Sequence, residues 1–209
     1  MSSIPAEKVK ELRDISGAGM MDCKKALSES SGDIQKAMDF LRKTGIAKAQ
    51  KKAGREVKDG LISTYIHPGS KLGVMLEINC ETDFVAKTSA FQELSKDIAM
   101  HIAAASPISV SKDHIPSDVL DKEREIYMEQ AKSSGKPAEI AEKMTQGRMD
   151  KFCKENALLD QPFVKDPNMT VSEVLTDTIG KLGENISIAR FIRFQLGENN
   201  ANSSSKDSE

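Results

Sequence analysis

One alternating segment, about a third of the way along the chain, limits the possible folds more than any other feature. Large apolar residues occupy the even positions from 72 to 78 and alternate with Gly, Met, Glu and Asn. This is the pattern of a β-strand with one buried face. Residues 61–67 are rich in β-branched and aromatic side chains, and Pro-Gly-Ser-Lys at 68–71 has the composition of a turn. The segment predicts a β-hairpin with helices packed on one side.

The residues before the hairpin have helical periodicity. Pro5 is suited to begin a first helix, which the Ser-Gly-Ala-Gly sequence at 16–19 ends. A second helix is predicted over residues 20–30. Asp33 is expected to cap a third, whose apolar residues follow i, i+3, i+4, i+7 spacing: Ile34, Ala37, Met38 and Leu41. We predict a three-helix domain over residues 1–45 and a helical or flexible connector, rich in Ala, Lys and Gly, over 46–59.

The residues after the hairpin are mainly helical. One helix is predicted with Phe91, Leu94 and Ile98 on one side, and another over residues 117–132. Pro137 is expected to begin a third helix, in which Gly147 is a weak point and these residues lie roughly on one face: Ile140, Met144 and Phe152.

The last part of the chain predicts a loop, a helix and a strand. Residues 161–167 have the composition of a loop, and Thr170 with Glu173 forms a capping box that begins a helix ending at Gly183. A last strand is predicted from the even spacing of Ile186, Ile188, Ile192 and Phe194. The fold class is therefore α+β, with a small antiparallel sheet packed on helices over residues 60–196. The Asn-, Ser- and acid-rich tail, 197–209, is predicted to be disordered.

Charge and cysteine content narrow the functional classes. The chain has thirty basic and thirty-two acidic residues and a formal net charge of −2, so no large positive field attracts nucleic acid. A basic run at 48–55 is either a solvated helix face or a local RNA contact. Three distant cysteines predict a reducing compartment, for which cytoplasm is the simplest choice. We expect no membrane span and no secretion signal.

The sequence contains no pattern that predicts a catalytic site or a metal-binding site. His67, His101 and His114 lie in three different settings without metal-ligand spacing, and His101 follows an apolar stripe as a structural histidine would. No nucleophile elbow or phosphate-binding loop is present. Glu81 and Asp83 are better explained as solvated carboxylates, with Asp83 capping the next helix. We therefore expect a non-enzymatic protein without a cofactor.

Phe84 is harder to assign, because it follows two acidic residues at the turn between the hairpin and the next helix. One interpretation is that its ring folds back as an anchor for its own helix. The other is that it is exposed as an interface anchor, as aromatic residues beside charges often are. The residues around it leave both interpretations open.

Several motifs, in order along the chain, resemble the elongation factor Ts family. The sequence from Gly17 through Leu27, GAGMMDCKKAL, is similar to the N-terminal domain of bacterial members. NCETDFVAK at 79–87 is similar to the central signature of the family. Further matches are GKP at 135–137, IAEKM at 140–144, GRM at 147–149, QPFV at 161–164 and GENI at 183–186. The resemblance covers nearly the whole chain except the tail.

This resemblance implies a domain organisation. The N-terminal domain of the family resembles the ubiquitin-associated three-helix fold, and the rest of the chain resembles its α+β dimerisation domain. Longer members carry a second copy of the α+β unit, so this chain resembles a short form. Short forms are expected to pair two chains, which predicts a homodimer.

The resemblance also implies a function, which is to promote GDP release from elongation factor Tu by disturbing its Mg²⁺ and phosphate site. Thr82, Asp83, Phe84 and Val85 match the segment that acts on this partner. Matching docking residues are Leu12, Arg13, Met20, Met21, Leu182 and Gly183. Met20 also fits a core position by its helical spacing, whereas Met21 is better placed as a contact.

Two other classes of function remain as alternatives. An adaptor with a ubiquitin-associated-like domain would use residues 1–45 and leave the hairpin and residues 82–85 without a role. A translation-linked RNA binder would use the basic run at 48–55, which the net charge disfavours. We expect no direct contact with nucleic acid.

Overall fold

The computed structural model describes residues 4–135 and 137–198. Helices α1 (Ala6–Ser16), α2 (Met20–Glu29) and α3 (Ile34–Gln50) form the N-terminal part, as the sequence predicts. Gly17 ends α1 in the left-handed region at φ 67°, and Asp33 caps α3 by accepting from the Lys36 N–H at 3.0 Å. The three helices enclose a small core: Val9, Leu12, Cys23, Ala26, Leu27 and Ala37.

Helix α3 is longer than its apolar pattern indicates and belongs to two cores. Ala37 lies in the small N-terminal core, whereas Ala49, three turns later, lies in the main core of the protein. The predicted boundary at residue 45 therefore falls inside a continuous helix. The connector is helical to residue 50, and the chain then turns before the first strand.

The main sheet has three antiparallel strands in the order β1 (Asp59–Ile66), β2 (Leu72–Cys80) and β5 (Ile186–Gln195). The predicted hairpin is confirmed, with Leu61 opposite Ile78 and Ile66 opposite Gly73. Val74, Leu76 and Ile78 point into the core, so the alternation of β2 buries one face, as the pattern indicates.

A bulge in β5 changes which of its side chains are buried. Glu77 pairs with Arg190 and Ile78 pairs with Ile188, which leaves Ala189 as an extra residue. Ile186 and Ile188 are therefore buried, but Ile192 and Phe194 lie on the outer face and are 48% and 55% exposed. The strand is confirmed, but the even spacing of these four residues does not place them on one face.

The remaining helices and strands follow in chain order: α4 (Asp83–Ala86), α5 (Ser89–Ala105), α6 (Ser117–Ser133), α7 (Ala138–Asn156), β3 (Pro162–Phe163), β4 (Asp166–Thr170) and α8 (Val171–Leu182). Helices α5 and α8 cover the inner face of the sheet, and α6 packs against α7 as a helical hairpin. The capping box of Thr170 and Glu173 is present at the start of α8. None of the helices within the described residues is long and apolar enough to cross a membrane.

Two sequence predictions in this region are corrected by the structure. Helix α7 buries Ala141, Thr145 and Met149, whereas Ile140 is 47% exposed, because the inward face is one residue further on. The predicted loop at 161–167 includes β3 and the start of β4, which pair as a short hairpin that extends to Thr170. The predicted disordered tail lies outside the described residues, except for Gly197 and Glu198.

His101 is a structural residue, and it is more deeply buried than its sequence context suggests. It is 1% exposed on α5, its Nε2 lies 2.9 Å from Gln161 Oε1, and its Nδ1 accepts from the Val164 N–H at 3.2 Å. The acceptor role of Nδ1 makes Nε2 the protonated nitrogen of a neutral ring. Burial lowers the pKa of His101 below its ordinary value.

Candidate functional site

The segment Thr82–Asp83–Phe84–Val85 forms one helical turn between the end of β2 and the start of α5. Val85 and Ala86 are each only 8% exposed and belong to the main core, so they hold the turn against the sheet and α5. Phe84 points the other way and is 81% exposed. The ring therefore does not anchor its own helix, and the interpretation of Phe84 as a local anchor is wrong.

Thr82 is held at its backbone and at its side chain. Its N–H donates to Glu184 Oε2 at 3.0 Å, and its hydroxyl donates to Glu184 Oε1 at 2.6 Å. Its carbonyl accepts from the Cys80 thiol at 3.1 Å. Burial raises the pKa of this thiol, which keeps the donated proton on sulfur at neutral pH. The start of the turn is thus fixed to both β2 and the end of α8.

Asp83 does not cap the helix, which corrects the role predicted for it. Thr82 occupies the N-cap position, and Asp83 is the first helical residue. Its carboxylate accepts from Lys87 Nζ at 2.6 Å, one turn later. This hydrogen bond lowers the pKa of Asp83 and raises that of Lys87, so both groups are charged at neutral pH. Asp83 therefore carries a paired negative charge beside the exposed ring.

A second carboxylate ties the turn to the residues around it. Glu81 accepts from the Asn185 backbone N–H at 2.7 Å, which is the main cause of its lowered pKa, and it lies 3.4 Å from Arg55 Nη1. Lys52 donates to the Gly183 carbonyl. Residues 52–55, 81–85 and 183–185 therefore form one hydrogen-bonded junction. Glu81 is a structural partner in it and not the solvated carboxylate that the sequence predicts, and Glu184 is a second partner that sequence reasoning missed.

The predicted docking residues of the N-terminal domain divide into an exposed group and a buried one. Met21 is 75% exposed, Met20 is 51% exposed and Arg13 is also on the surface. Ile15, for which the sequence predicts no docking role, is 59% exposed at the end of α1. Leu12 is 0% exposed in the small core, so its side chain is not available on the surface of this structure, which corrects the docking position predicted for it to a core position.

The other two predicted docking residues lie at the end of α8. Leu182 is half-buried and packs against the main core, and Gly183 adopts the left-handed conformation that ends the helix at φ 81°. Val85 is 8% exposed and also belongs to the core, so its side chain holds the turn and is not available on the surface for the contact predicted for it. Of the 82–85 segment, Phe84 is the side chain that projects furthest into solvent.

Helices α3 and α8 hold the N-terminal domain against the α+β domain. A Cβ added to Gly180 would lie 3.1 Å from Gly45 Cα, so the two backbones are almost in contact. The Lys181 side chain lies beside Gly17, at the α1–α2 turn. The exposed methionines and Phe84 therefore belong to domains that are packed together.

Most of the basic residues at 48–55 bond to other parts of the same chain. Lys48 pairs with Asp22 at 2.8 Å, Lys52 binds the Gly183 carbonyl and Arg55 lies beside Glu81. These cations connect the end of α3 and the residues after it to α2, to the end of α8 and to the turn at residue 81. Their bonds favour a structural role for the basic run over an RNA contact. Within the described residues, no group of three or more His, Cys, Asp or Glu side chains is arranged to hold a metal ion.

Comparison with known proteins gives one family. The family model described as "Elongation factor TS" matches residues 5–198. A relative named Elongation factor Ts from Fervidobacterium nodosum is 55% identical over 93% of this chain and 99% of its own length. The same name is carried by a relative from Carboxydothermus hydrogenoformans, 55% identical over 93% of this chain and 90% of its own. A relative of the same name from Geobacter sulfurreducens is 54% identical over 94% of this chain and 91% of its own length.

Proposed function

Because the chain belongs to the elongation factor Ts family, and is thus a translation elongation factor, we propose that it accelerates GDP release from elongation factor Tu. The observation that carries this proposal is the exposure of Phe84 on a turn that is otherwise fixed. An aromatic side chain that is 81% exposed gives up contact with water only when a partner covers it.

The proposed action of Phe84 is to enter the GTP-binding domain of the partner near its Mg²⁺ site. Mg²⁺ requires near-ideal octahedral geometry, so a small displacement of its ligands weakens its binding. Burying a Phe side chain contributes about 1.5–3 kcal/mol. Typical coupling energies between two sites are about 1–3 kcal/mol. One ring is therefore sufficient to weaken GDP binding by a large factor.

The N-terminal domain is proposed to supply the rest of the binding free energy. Met21, Met20 and Ile15 are exposed apolar residues at the end of α1 and the start of α2, and Arg13 is also exposed. Flexible thioethers adapt well to a partner surface. We propose a ubiquitin-associated-like fold for this domain, with these residues docking on elongation factor Tu while Phe84 acts on its nucleotide site.

The proposed cycle involves no covalent step. If the chain weakens GDP binding, GDP weakens binding of the chain by the same factor. GTP then enters the empty site and displaces the chain. Such a cycle requires differential binding and not a catalytic acid or base, so we propose that the chain is an exchange factor and not an enzyme, acting in the cytoplasm without direct contact with nucleic acid.

A second copy of this chain is proposed to cover the outer face of the sheet. The bulge in β5 places Ile192 and Phe194 on this face beside Met75 and Ile66, all of which are 48% to 63% exposed. Such contiguous apolar surface is typical of a contact between proteins. A homodimer formed through this face agrees with the pairing expected for short forms.

Release of a fluorescent GDP analogue from elongation factor Tu tests the proposed function. We expect the chain, at substoichiometric concentration, to raise the release rate. A ubiquitin-associated-like adaptor or an RNA binder would leave this rate unchanged, and that result would reject the proposal.

A further inference from the structure

Thr82 has an unusual set of bonds for the first residue of a helical turn. It occupies the N-cap position of α4, yet its hydroxyl does not cap the helix and donates to Glu184 Oε1 at 2.6 Å. The second oxygen of the same carboxylate accepts the Thr82 N–H at 3.0 Å. The Thr82 carbonyl accepts from Cys80 Sγ at 3.1 Å and from the Ala86 N–H at 3.3 Å. Every polar atom of Thr82 is therefore bonded.

The same type of contact occurs elsewhere in the chain with a purely local origin. At the start of α8, Glu173 accepts from both the N–H and the hydroxyl of Thr170, three residues earlier. The carboxylate on Thr82 comes from 102 positions further along the chain. The orientation of α4 thus depends on where the end of α8 lies, and α8 is packed on α3 of the N-terminal domain.

From this geometry we infer that Glu184 is a positioning residue for nucleotide exchange, which holds Thr82 so that α4 directs Phe84 away from the core. The inference rests on the proposed exchange function. Glu184 acts through Thr82 and not by touching the nucleotide partner. The neighbouring Asn185 N–H to Glu81 bond, at 2.7 Å, fixes the loop that carries Glu184. The ring is therefore already oriented when the docked chain acts on the nucleotide site, which lowers the cost of ordering it at the exchange step and not at docking.

The test compares Glu184→Ala with Glu173→Ala. The second change removes a similar pair of bonds at the other end of α8, together with an exposed ion pair to Arg42 at 3.9 Å that contributes little to stability. Stopped-flow release of fluorescent GDP from elongation factor Tu gives kcat and KM for each variant. We expect Glu184→Ala to lower kcat about tenfold, the fold-change of one hydrogen bond to a charged group, with KM changed by less than about twofold. Glu173→Ala should lower the free energy of unfolding by an amount similar to that for Glu184→Ala, but its kcat should stay at the wild-type value. Glu184→Gln, which retains an acceptor, should recover part of the rate.

A double variant shows whether Glu184 acts through the ring. In the Phe84→Ala background, Glu184→Ala should have no further effect on release, because the group that it positions is gone. In the otherwise wild-type chain, the Thr82 amide proton should exchange with solvent faster in Glu184→Ala than in Glu173→Ala. A raised KM with unchanged kcat would instead make Glu184 a direct partner contact and overturn the inference.

The release assay also distinguishes failure of the positioning role of Glu184 from failure of the proposed exchange function on which it rests. If the wild-type chain does not accelerate GDP release, the proposed function fails. If it does so, Phe84→Ala slows release, and Glu184→Ala behaves as Glu173→Ala does, then the exchange function stands and the positioning role of Glu184 is rejected.

Discussion

Replacement of Phe84 by Ala separates the proposed function of the 82–85 segment from its contribution to stability. The ring is 81% exposed, so its removal leaves almost no cavity in the isolated protein. Val85 and Ala86, which hold the turn, remain in place. Surface changes of this kind usually alter the free energy of unfolding by less than about 0.5 kcal/mol. We therefore expect Phe84→Ala to retain the fold and the thermal stability of the wild-type chain.

The expected effect on exchange follows from the burial of the same ring in the complex. Burying a Phe side chain contributes about 1.5–3 kcal/mol, and each 1.36 kcal/mol changes a rate tenfold. Since this free energy is proposed to be used at the nucleotide site, GDP release should slow by roughly 10- to 150-fold. The docking surface on α1 and α2 is unchanged, so the variant should still bind elongation factor Tu.

The assay is stopped-flow release of fluorescent GDP at increasing concentrations of wild-type chain, Phe84→Ala and Ile140→Ala. Ile140 is a matched control because it is an apolar residue, 47% exposed, on α7. We expect kcat to fall for Phe84→Ala and to stay at the wild-type value for Ile140→Ala. An unchanged release rate for a folded Phe84→Ala variant would refute the proposed action of the ring.

Five further variants test other parts of the account. Met21→Ala should raise KM by roughly 5- to 30-fold through the loss of about 1–2 kcal/mol of apolar contact, measured in the same assay, without loss of stability because Met21 is 75% exposed. Ile192→Asp should convert the proposed homodimer to a monomer in analytical ultracentrifugation, and a dimer that persists would reject the sheet face as its interface. Burial lowers the pKa of His101 from its ordinary value, so the unfolded chain binds this proton more readily. Urea unfolding should show the full contribution of His101 above about pH 6.5. The free energy of unfolding should fall by up to about 1.4 kcal/mol per pH unit from there down to the folded-state pKa, and His101→Gln should remove this dependence. Gly180→Ala should destabilise the protein by about 1 kcal/mol, since its Cβ would meet the Gly45 backbone at 3.1 Å, whereas Gly147→Ala, with open space around it, should stabilise by about 0.5–1 kcal/mol in thermal unfolding.

Local sequence patterns predicted the features that local physics decides. The β1–β2 hairpin follows from the alternation over residues 72–78 and the turn chemistry between the strands. The capping box at the start of α8 follows from Thr170 and Glu173, which lie three residues apart. In both cases the residues that cause the structure are neighbours in the chain, so the pattern is sufficient.

The features that were missed depend on contacts between distant residues. The bulge at Ala189 is a property of the pairing between β2 and β5, and without it Ile192 and Phe194 would be expected on the buried face. Helix α3 continues past residue 45 because small residues there pack against α8, where the close contact is between Gly45 and Gly180. Periodicity of large apolar residues gives no signal for such packing.

The candidate site was predicted only in part for the same reason. The resemblance identified Phe84 and Met21, whose exposure the structure shows. It also selects Leu12 and Val85, which are buried core residues in this structure. Glu184 was not selected as a site residue, because its bonds to Thr82 join positions 102 residues apart.

The most direct test of the central claim is the equilibrium affinity of elongation factor Tu for GDP, measured with and without saturating amounts of this chain. The account predicts that the chain weakens GDP binding, and that GDP weakens binding of the chain by the same factor. Phe84→Ala should reduce both factors together. An affinity for GDP that is the same in the presence and absence of the bound chain would contradict the account.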